Sequence, residues 1–597
     1  MRPLLALALC GCASAPPATA ENNPRKPTAD DAKAFVARVN EDLKRLFVKS
    51  STADWIKNTY ITDDTERNAA SANEELLGYQ ARATKTAAAF KELPLDPDTG
   101  RMLYLLRISA TAPAPEDAKK RLELTTLAAK LEGHYGSAKD KKGRDLQELS
   151  ALLRKSRNHD ELLDAWVGWH ETAREQRPRY QRFVELANEG AREIGFANMG
   201  DVWRSSYDIP PDEFEKETDR LWAQVKPLYD GLHCYVRAQL QQQYGKERIP
   251  EGKPIPAHVL GNMWAQEWGS IYPLVEPYKG VASLDVTKAI VAQKWDPVRM
   301  VKAGEAFFTS MGLDPLPRTF WERSMLVKPR DREVVCHASA WDVQFDDDLR
   351  IKMCIRPEEE DLVTIHHELG HDYYFHAYYK LPALYQGGAN DGFHEAIGDA
   401  LTLAMTPAYL KRLGLLEEMP DNPKAVINVQ MKDALNKVAF LPFGKLIDQW
   451  RWDVFNGKTA PGDYNKAWWA LRTKFQGIAA PVARSEQDFD PGAKYHVPAN
   501  VPYTRYFLAR ILQFQFYRAM CQAAGHKGPL HQCSFYGSKE AGARLWKMLS
   551  MGASRPWPDA LEAMTGQRQM DGGALLEYFA PLQAWLLEQN KGLSCGW

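Results

Sequence analysis

A run of five residues, His367-Glu368-Leu369-Gly370-His371, restricts the possible folds of this 597-residue chain more than any other part of its sequence. Two histidines four residues apart lie about one turn apart on one face of an α-helix, so both imidazoles can reach a single metal ion. Glu368 is then placed to hold a water on that metal and to take its proton. We therefore expect a helix with His367 and His371 as ligands and Glu368 as general base, an arrangement typical of zinc hydrolases.

A second acidic helix is predicted downstream of this motif. A catalytic zinc site usually keeps three protein ligands and one open position, so one more ligand is needed. Residues 388–399 contain a turn, a polar N-cap at Asn390 or Asp391, and then a helical pattern. Glu395 and Asp399 share one face of that helix. We predict Glu395 as the third zinc ligand and Asp399 as the acceptor for the free ring N–H of a ligand histidine.

A chance copy of the motif on a solvated helix face is the alternative interpretation. The semi-apolar stretch 362–367 before the motif and the acidic helix after it favour the metal site. His366, His376 and His394 lie beside the ligand face or are rotated away from it, so we expect packing or supporting roles for them.

Composition and periodicity indicate a mainly helical chain. Its net charge of −1 gives no sign of a nucleic-acid partner. Amphipathic helices are predicted at 30–48, 69–93 and 118–131, and strands only at 333–336 and 349–354. No apolar run after the N-terminal leader approaches the about 20 residues of a membrane span. The single HExxH motif argues for one catalytic unit.

The first 20 residues have the pattern of an export signal, a short basic start followed by an apolar core. Two forms stay open. Leu9-Cys10-Gly11-Cys12 is similar to a bacterial lipobox, with Cys12 as the acylated residue and a possible lipid anchor. Ala18-Thr19-Ala20 offers an ordinary cleavage site instead. We expect an exported protein, periplasmic or secreted, either free or anchored as a lipoprotein.

With these motifs in place, the chain resembles the angiotensin-converting enzyme family (peptidase family M2), as a single-domain bacterial form. The resemblance covers roughly residues 160 to 590 and rests on six segments in a fixed order. They are 335–342 (VCHASAWD), 366–371 (HHELGH), 392–399 (GFHEAIGD), 448–452 (DQWRW), 489–498 (FDPGAKYHVP) and 501–507 (VPYTRYF).

The resemblance implies a fold of the gluzincin metallopeptidase type. Residues 21–597 would form one catalytic domain, mainly α, with a very small β component near the zinc site. Two interleaved helical subdomains would enclose a deep central groove with zinc at its floor. The N-terminal helices would form a lid that admits short peptides and excludes folded proteins.

The resemblance also assigns roles to residues far from the motif. His496 and Tyr506 would stabilise the oxyanion of the attacked peptide bond. His337 and the backbone at Ala338 would hold the peptide as an extended strand. Gln266, Lys494 and Tyr503 would bind its C-terminal carboxylate, since an ammonium, a phenol and an amide make a strong anchor for that group.

The implied activity is that of a zinc peptidyl-dipeptidase, which removes C-terminal dipeptides from short peptides. In the family's single-residue carboxypeptidases an arginine stands at the position of Gln266 and shortens the pocket, so Gln266 favours dipeptide release. A zinc carboxypeptidase or endopeptidase of the same fold is the nearest alternative. A non-catalytic peptide-binding homologue is the other, although every ligand and the base are present.

The family is often activated by chloride, and the match to its two chloride sites is partial. Tyr207 and Arg505 fit one site. At the other, Trp468 and Arg472 fit, but His170 takes a position where the family has arginine, and a neutral imidazole supplies less positive charge. We therefore predict one chloride site, not two. Arg510 is a further departure, because the family tends to carry an aromatic residue there.

The cysteines divide into family pairs and unassigned residues. The resemblance implies disulfides between Cys336 and Cys354 and between Cys521 and Cys533, which suits an oxidising compartment. Cys234 and Cys595 have no obvious partner in the sequence, and a buried free thiol is expected for Cys234.

Overall fold

The computed structural model describes residues 26–109, 112–281, 285–417 and 422–597, and these are mainly α-helical. The predicted leader and Cys12 lie outside the described residues. In chain order α1 to α24, the α-helices are Ala29–Thr59, Asp63–Ala88, Pro97–Ile108, Ala118–Ser137, Leu146–Lys155, His159–Thr172, Arg177–Glu193, Met199–Ser205, Pro211–Tyr244, Tyr272–Val275, Thr287–Ala292, Pro297–Ser310, Arg318–Arg323, Glu359–Tyr378, Asp391–Leu403, Pro407–Arg412, Pro423–Lys437, Leu441–Phe455, Tyr464–Leu471, Thr504–Ala523, Lys539–Leu549, Trp557–Thr565, Gly573–Tyr578 and Ala580–Gln589.

The β component of the described residues consists of two short pairs. Strand β1 (Ile255–Pro256) runs parallel to β4 (Ile478–Ala479). Strand β2 (Ser339–Asp342) is antiparallel to β3 (Leu349–Lys352), with Ser339 opposite Lys352 and Asp342 opposite Leu349. The mainly helical class with a small sheet next to the metal motif is therefore confirmed.

The N-terminal helices begin at capping boxes. The side chain of Thr28 accepts from the backbone of Asp31 at the start of α1, and Thr62 does the same with Thr65 at the start of α2. Helix α1 is longer than its predicted range of 30–48, and α2 begins before residue 69. The predicted start at residue 118 agrees with α4.

The predicted strand at 333–336 is wrong. The backbone there bonds to the end of α1 instead of to a sheet: Ile61 N–H donates to Glu333 O, and Val335 N–H donates to Asn58 O. Pairing with β3 begins only at Ser339. The apolar residues that suggested a strand thus belong to a segment that contacts the C-terminal end of α1 and leads into the β2–β3 hairpin.

Helix α18 lies at the centre of the main core, since every one of its residues is buried. A helix buried on all sides has to satisfy its polar side chains internally. The other central helices are α14, which carries the metal motif, α15 and α20, and α15 packs along both α14 and α20.

The N-terminal helices cover the hairpin that precedes the metal helix. Trp55 of α1 packs edge-on against Trp341 of β2, with ring centroids 5.8 Å apart. Phe47 of α1 stacks on Phe345 in the hairpin turn at 5.0 Å. Helices α1 to α3 also share a small hydrophobic cluster, separate from the main core, which includes Ala383 and Tyr385 from the segment after the metal helix.

Three disulfides are present in the described chain. Cys336–Cys354 and Cys521–Cys533, the pairs that the resemblance implies, have Cα–Cα distances of 5.0 and 6.1 Å. The expectation of a free thiol at Cys234 is wrong, because it pairs with Cys595 at a Cα–Cα distance of 5.1 Å and a sequence separation of 361. Three disulfides fit an exported protein. Among the helices described, none is both long and apolar enough to cross a membrane.

Candidate active site

Helix α14 brings one ring nitrogen of each motif histidine to the same point, with the two rings edge-on to each other. The Nε2 atoms of His367 and His371 lie 3.1 Å apart. Together with a carboxylate oxygen of Glu395 they form the one group in the described residues whose ligand atoms all lie within 4.8 Å of one another. Two imidazole nitrogens and one carboxylate oxygen that converge in this way are the donor set of a catalytic zinc site.

Helix α15 supplies the carboxylate from the facing side. Asn390 caps this helix by accepting from Gly392 N–H, which decides between the two predicted N-cap residues. One Glu395 oxygen lies 3.7 Å from His367 Nε2. The two helices meet at Gly370 and Gly398, where the absence of side chains lets the backbones approach closely.

The outward nitrogens of both histidines have partners, which leaves the Nε2 atoms free for a metal. His367 Nδ1 lies 3.2 Å from Asp399, as predicted. His371 Nδ1 lies 3.3 Å from Nδ1 of His394, whose Nε2 is 3.0 Å from the Tyr378 hydroxyl. These contacts fix the ring orientations, so both histidines are prepared as ligands.

Asp399 is held in turn by two side chains of α20. Arg510 donates to it at 2.5 Å and Gln513 at 3.2 Å. Burial alone would raise the pKa of the Asp399 carboxyl, but Arg510 and His367 outweigh burial and lower it. The unexpected arginine at position 510 therefore holds the carboxylate behind the ligand His367.

Glu368 is 7% exposed and lies close enough to His367 and Glu395 for their charges to act on its carboxyl. Burial raises the pKa of its carboxyl, while His367, His337 and Lys352 oppose that shift. Lys352 is a buried lysine of β3 that the sequence did not single out. It donates to the backbone oxygens of Val335 and His337, at 2.8 and 2.5 Å, and so fixes the segment next to the base.

The segment with His337 and Ala338 runs beside the metal centre. His337 is exposed, and its Nδ1 lies 2.9 Å from the backbone oxygen of Ala338. A bend lies at His337, and β2 begins at Ser339, the residue after Ala338. The exposed imidazole and the start of β2 are the features that an extended peptide would contact here.

A second cluster brings together the three residues predicted to bind a carboxylate. The Tyr503 hydroxyl lies 3.3 Å from the side-chain oxygen of Gln266. Lys494 Nζ lies 4.1 Å from the Trp264 ring centroid and 5.5 Å from that of Tyr503. Burial lowers the pKa of Lys494 to about 7, with Glu267 opposing. Within the described ranges no carboxylate forms a salt bridge with Lys494, and a desolvated ammonium in this situation suits an incoming anion.

His496 and Tyr506 adjoin this cluster. The His496 ring lies 4.6 Å from that of Tyr503 and 5.7 Å from that of Tyr506, centroid to centroid. Burial, with Lys494 acting in the same direction, lowers the pKa of His496, so its imidazole is neutral. The charge of Glu395 contributes to a raised pKa of Tyr506, which links this cluster to the metal centre.

The buried helix α18 holds these residues in position through Asp448 and Arg451. One Asp448 oxygen accepts from the backbone N–H groups of Tyr503 and Thr504, both at 2.7 Å. Arg451 donates to Asp448 and, at 2.7 Å, to the backbone oxygen of His496. Residue chemistry alone did not single out this pair. Both residues belong to the DQWRW segment at 448–452, which was noted only as one of the segments of the family resemblance.

The residues of the predicted chloride site also meet. Tyr207 and Arg505 line one cavity of about 200 Å³, together with Asp391, Asp448 and Thr504. One oxygen of Asp391 lies 3.0 Å from Arg505 Nε. An acidic side chain that was not expected at this site from the sequence therefore faces the guanidinium.

At the position of the family's second chloride site, Arg472 donates to the backbone oxygen of Trp264 at 2.8 Å and packs on Trp468. Burial lowers the pKa of His170 to about 4, so that imidazole is neutral, as expected.

A convergent His-His-Glu triad with a buried glutamate at its side defines a metallopeptidase-type centre of the HExxH class. The chain belongs to the angiotensin-converting enzyme family: the family profile described as "Peptidase_M2: Angiotensin-converting enzyme" matches residues 26–597.

Individual relatives agree with this assignment. The chain is similar to the angiotensin-converting enzyme of Rattus norvegicus, with 43% identity over 618 aligned positions that cover 100% of this chain and 47% of the rat protein. It is 45% identical to that of Bos taurus over 95% of this chain and 45% of the bovine protein. The chain thus spans less than half of these mammalian relatives. The angiotensin-converting enzyme of Theromyzon tessulatum is 41% identical, over 96% of this chain and 94% of its own length.

Proposed function

We propose that this chain is a zinc-dependent peptidyl-dipeptidase that releases C-terminal dipeptides from short peptides. The observation that carries the proposal is the presence of two adjoining clusters, a His367–His371–Glu395 triad and a carboxylate-binding set around Lys494. The first cluster provides for hydrolysis, and the second selects a free C-terminus at a defined distance from it.

Zinc fits the three ligands, since their donor atoms converge and the outward nitrogens of both histidines are already paired. When bound, the ion polarises the scissile carbonyl and lowers the pKa of water. Glu368 takes the proton of the attacking water and passes it to the leaving amine. Tyr506 and His496 donate to the developing oxyanion, an effect worth roughly 2.7–4 kcal/mol per donor.

Peptide positioning rests on residues at both ends of the proposed groove. His337 and the backbone of Ala338 hold the substrate as an extended strand. Lys494, Tyr503 and Gln266 bind its terminal carboxylate through charge-assisted hydrogen bonds. Gln266 leaves room for two residues beyond the scissile bond, which supports dipeptide release over single-residue release.

The proposed organisation is one catalytic domain over residues 21–597. Two interleaved helical subdomains enclose the groove, and α1 to α3 act as its lid. The protein is exported through the leader at 1–20, to the periplasm or beyond, as a free protein or as a lipoprotein acylated at Cys12. Chloride activation stays a prediction of the resemblance, and the proposed reaction does not require it.

The experiment that tests this function compares the zinc-loaded protein with Glu368→Ala on a mixture of short peptides. We expect C-terminal dipeptides from the wild type by mass spectrometry, and no turnover from the variant. Metal analysis should find equal zinc in both proteins, because Glu368 is not a ligand. Retained turnover in a zinc-loaded Glu368→Ala protein would contradict the assignment of the base, and absence of any cleavage by the wild type would contradict the function.

A further inference from the structure

The carboxylate of Asp391 lies beside Arg505, the guanidinium that the sequence predicted to bind chloride. One of its oxygens is 3.0 Å from Arg505 Nε. Tyr207 lines the same cavity, and its ring is held by stacking on Phe214 at a centroid distance of 4.0 Å. The predicted anion site thus already contains an anionic group that is covalently part of the chain.

The local backbone holds this carboxylate in position. Because Asn390 is the N-cap of α15, Asp391 is the first helical residue and its side chain is free to face Arg505. A carboxylate is also stabilised at a helix N-terminus by the macrodipole. Burial and the charge of Asp448 raise the pKa of Asp391, and the opposing effects of Arg505 and Tyr207 only partly offset that rise.

A carboxylate and a chloride ion compete for one guanidinium. Two anions within contact distance repel each other strongly in a partly buried cavity, so Arg505 accommodates one of them. A tethered carboxylate acts at a high effective concentration, whereas free chloride has to be drawn from solution. The tethered group therefore prevails at ordinary salt concentrations.

The ion pair joins the two helices that carry the proposed chemistry. Asp391 lies one turn before Glu395 on α15, and Arg505 lies directly before Tyr506 on α20. A contact at this point sets the position of the oxyanion donor Tyr506 relative to the ligand Glu395.

We infer that Asp391 is an internal replacement for the activating chloride ion, and thus a positioning residue that makes the peptidase independent of chloride at the Tyr207–Arg505 site. This inference rests on the proposed function for its activity readout. It departs from the chloride-binding role that the sequence predicted for Tyr207 and Arg505.

The test measures peptide cleavage at constant ionic strength while sodium chloride replaces sodium gluconate. We expect less than about a twofold change for the wild type across the series. For Asp391→Ala in gluconate, kcat should fall about 10–100-fold, as is typical when a group that orients catalytic residues is lost. Chloride should restore kcat with saturation, because the ion enters the vacated space beside Arg505.

Two further variants separate positioning from a merely structural role. Asp391→Asn fills the same space with a neutral amide, so we expect a loss that chloride does not restore. Asp212→Ala serves as the matched control, since this aspartate has a side chain 90% exposed; its rate should stay at the wild-type level with or without chloride. Loss of activity in Asp391→Ala that chloride fails to restore would overturn the inference.

A site-specific readout is independent of catalysis. Crystals of wild type and Asp391→Ala are grown in bromide, and anomalous scattering locates the ion. We expect bromide between Arg505 and Tyr207 in the variant only, and a bromide peak there in the wild type would overturn the inference. If Asp391→Ala fails to fold, the wild-type bromide map still tests the inference, because it should show no peak between Arg505 and Tyr207. If the wild type cleaves no peptide, the proposed function fails and the bromide comparison still tests Asp391.

Discussion

Gly370 of α14 and Gly398 of α15 lie directly against each other, so that a Cβ added at Gly370 would come within 2.9 Å of the Gly398 Cα. A Cβ at Gly398 would come within 2.7 Å of His367 Nδ1 and 2.9 Å of the His367 backbone oxygen. The metal motif and the helix with the third ligand therefore meet only because both positions lack a side chain. This contact sets the separation between His367 and Glu395.

Gly398→Ala should weaken zinc binding. The added methyl group pushes the ligand His367 or the whole of α15 out of place, and disturbed ligand support typically costs about 10–100-fold in metal affinity. Competition with a chromophoric chelator measures that affinity. Gly133→Ala is the matched control, because a Cβ at this helical glycine meets nothing within 4 Å. Equal zinc affinity in the two variants would show that the close helix contact is not needed.

Lys494 should make substrate binding dependent on pH. Its pKa is lowered to about 7 by burial, so the charged fraction in the free protein falls as pH rises through that value. The KM for a peptide with a free C-terminus should therefore increase above about pH 7. The increase should level off at the higher pH where Lys494 loses its proton even with the substrate carboxylate bound. Steady-state kinetics from pH 6 to 9 test this.

The variant Lys494→Met supplies the comparison for that pH profile. Loss of a charge-assisted contact, worth about 1.5–3 kcal/mol, should raise KM by roughly 10–150-fold. The rise of KM above pH 7 that is expected for the wild type should be absent in this variant. A steep rise that persists in Lys494→Met would assign the titration to another group.

The disulfide between Cys234 and Cys595 should stabilise the fold. It ties α9 to the C-terminal segment, whose backbone oxygens at Ser594 and Gly596 accept from Arg237. Removing such a cross-link typically costs about 2–4 kcal/mol. Cys234→Ala and Cys595→Ala should lower Tm equally in thermal unfolding, and the double variant should lower it no further. Additive losses would mean that the two cysteines act separately.

Local patterns indicated the helical class and a candidate ligand set, because both depend on residues close in sequence, although the bounds of α1 and α2 differ from those predicted. The spacing of His367 and His371 fixes their common face, and a single N-cap orients Glu395 and Asp399 on the next helix. The segment 333–336 was misjudged because its backbone partners, at Asn58 and Ile61, lie far away in the chain.

Other features of the fold and of the site depend on contacts between residues far apart in the chain, which sequence spacing does not reveal. Cys234 and Cys595 are separated by 361 positions, and Lys352 acts on backbone oxygens, which leave no trace in side-chain patterns. Asp391 was considered only as a helix cap, and its role depends on where α20 places Arg505. The residues proposed to bind substrate came from family resemblance, since their chemistry becomes apparent only when four distant segments meet.

The most direct test of the proposed activity is the mass of the first product from one peptide in two forms. The zinc-loaded protein is incubated with a short peptide that has a free C-terminus, and with the same peptide amidated at that end. We expect release of an intact C-terminal dipeptide from the free form and much slower cleavage of the amide, which lacks the carboxylate for Lys494. Release of a single residue, or equal internal cleavage of both forms, would contradict the proposed activity.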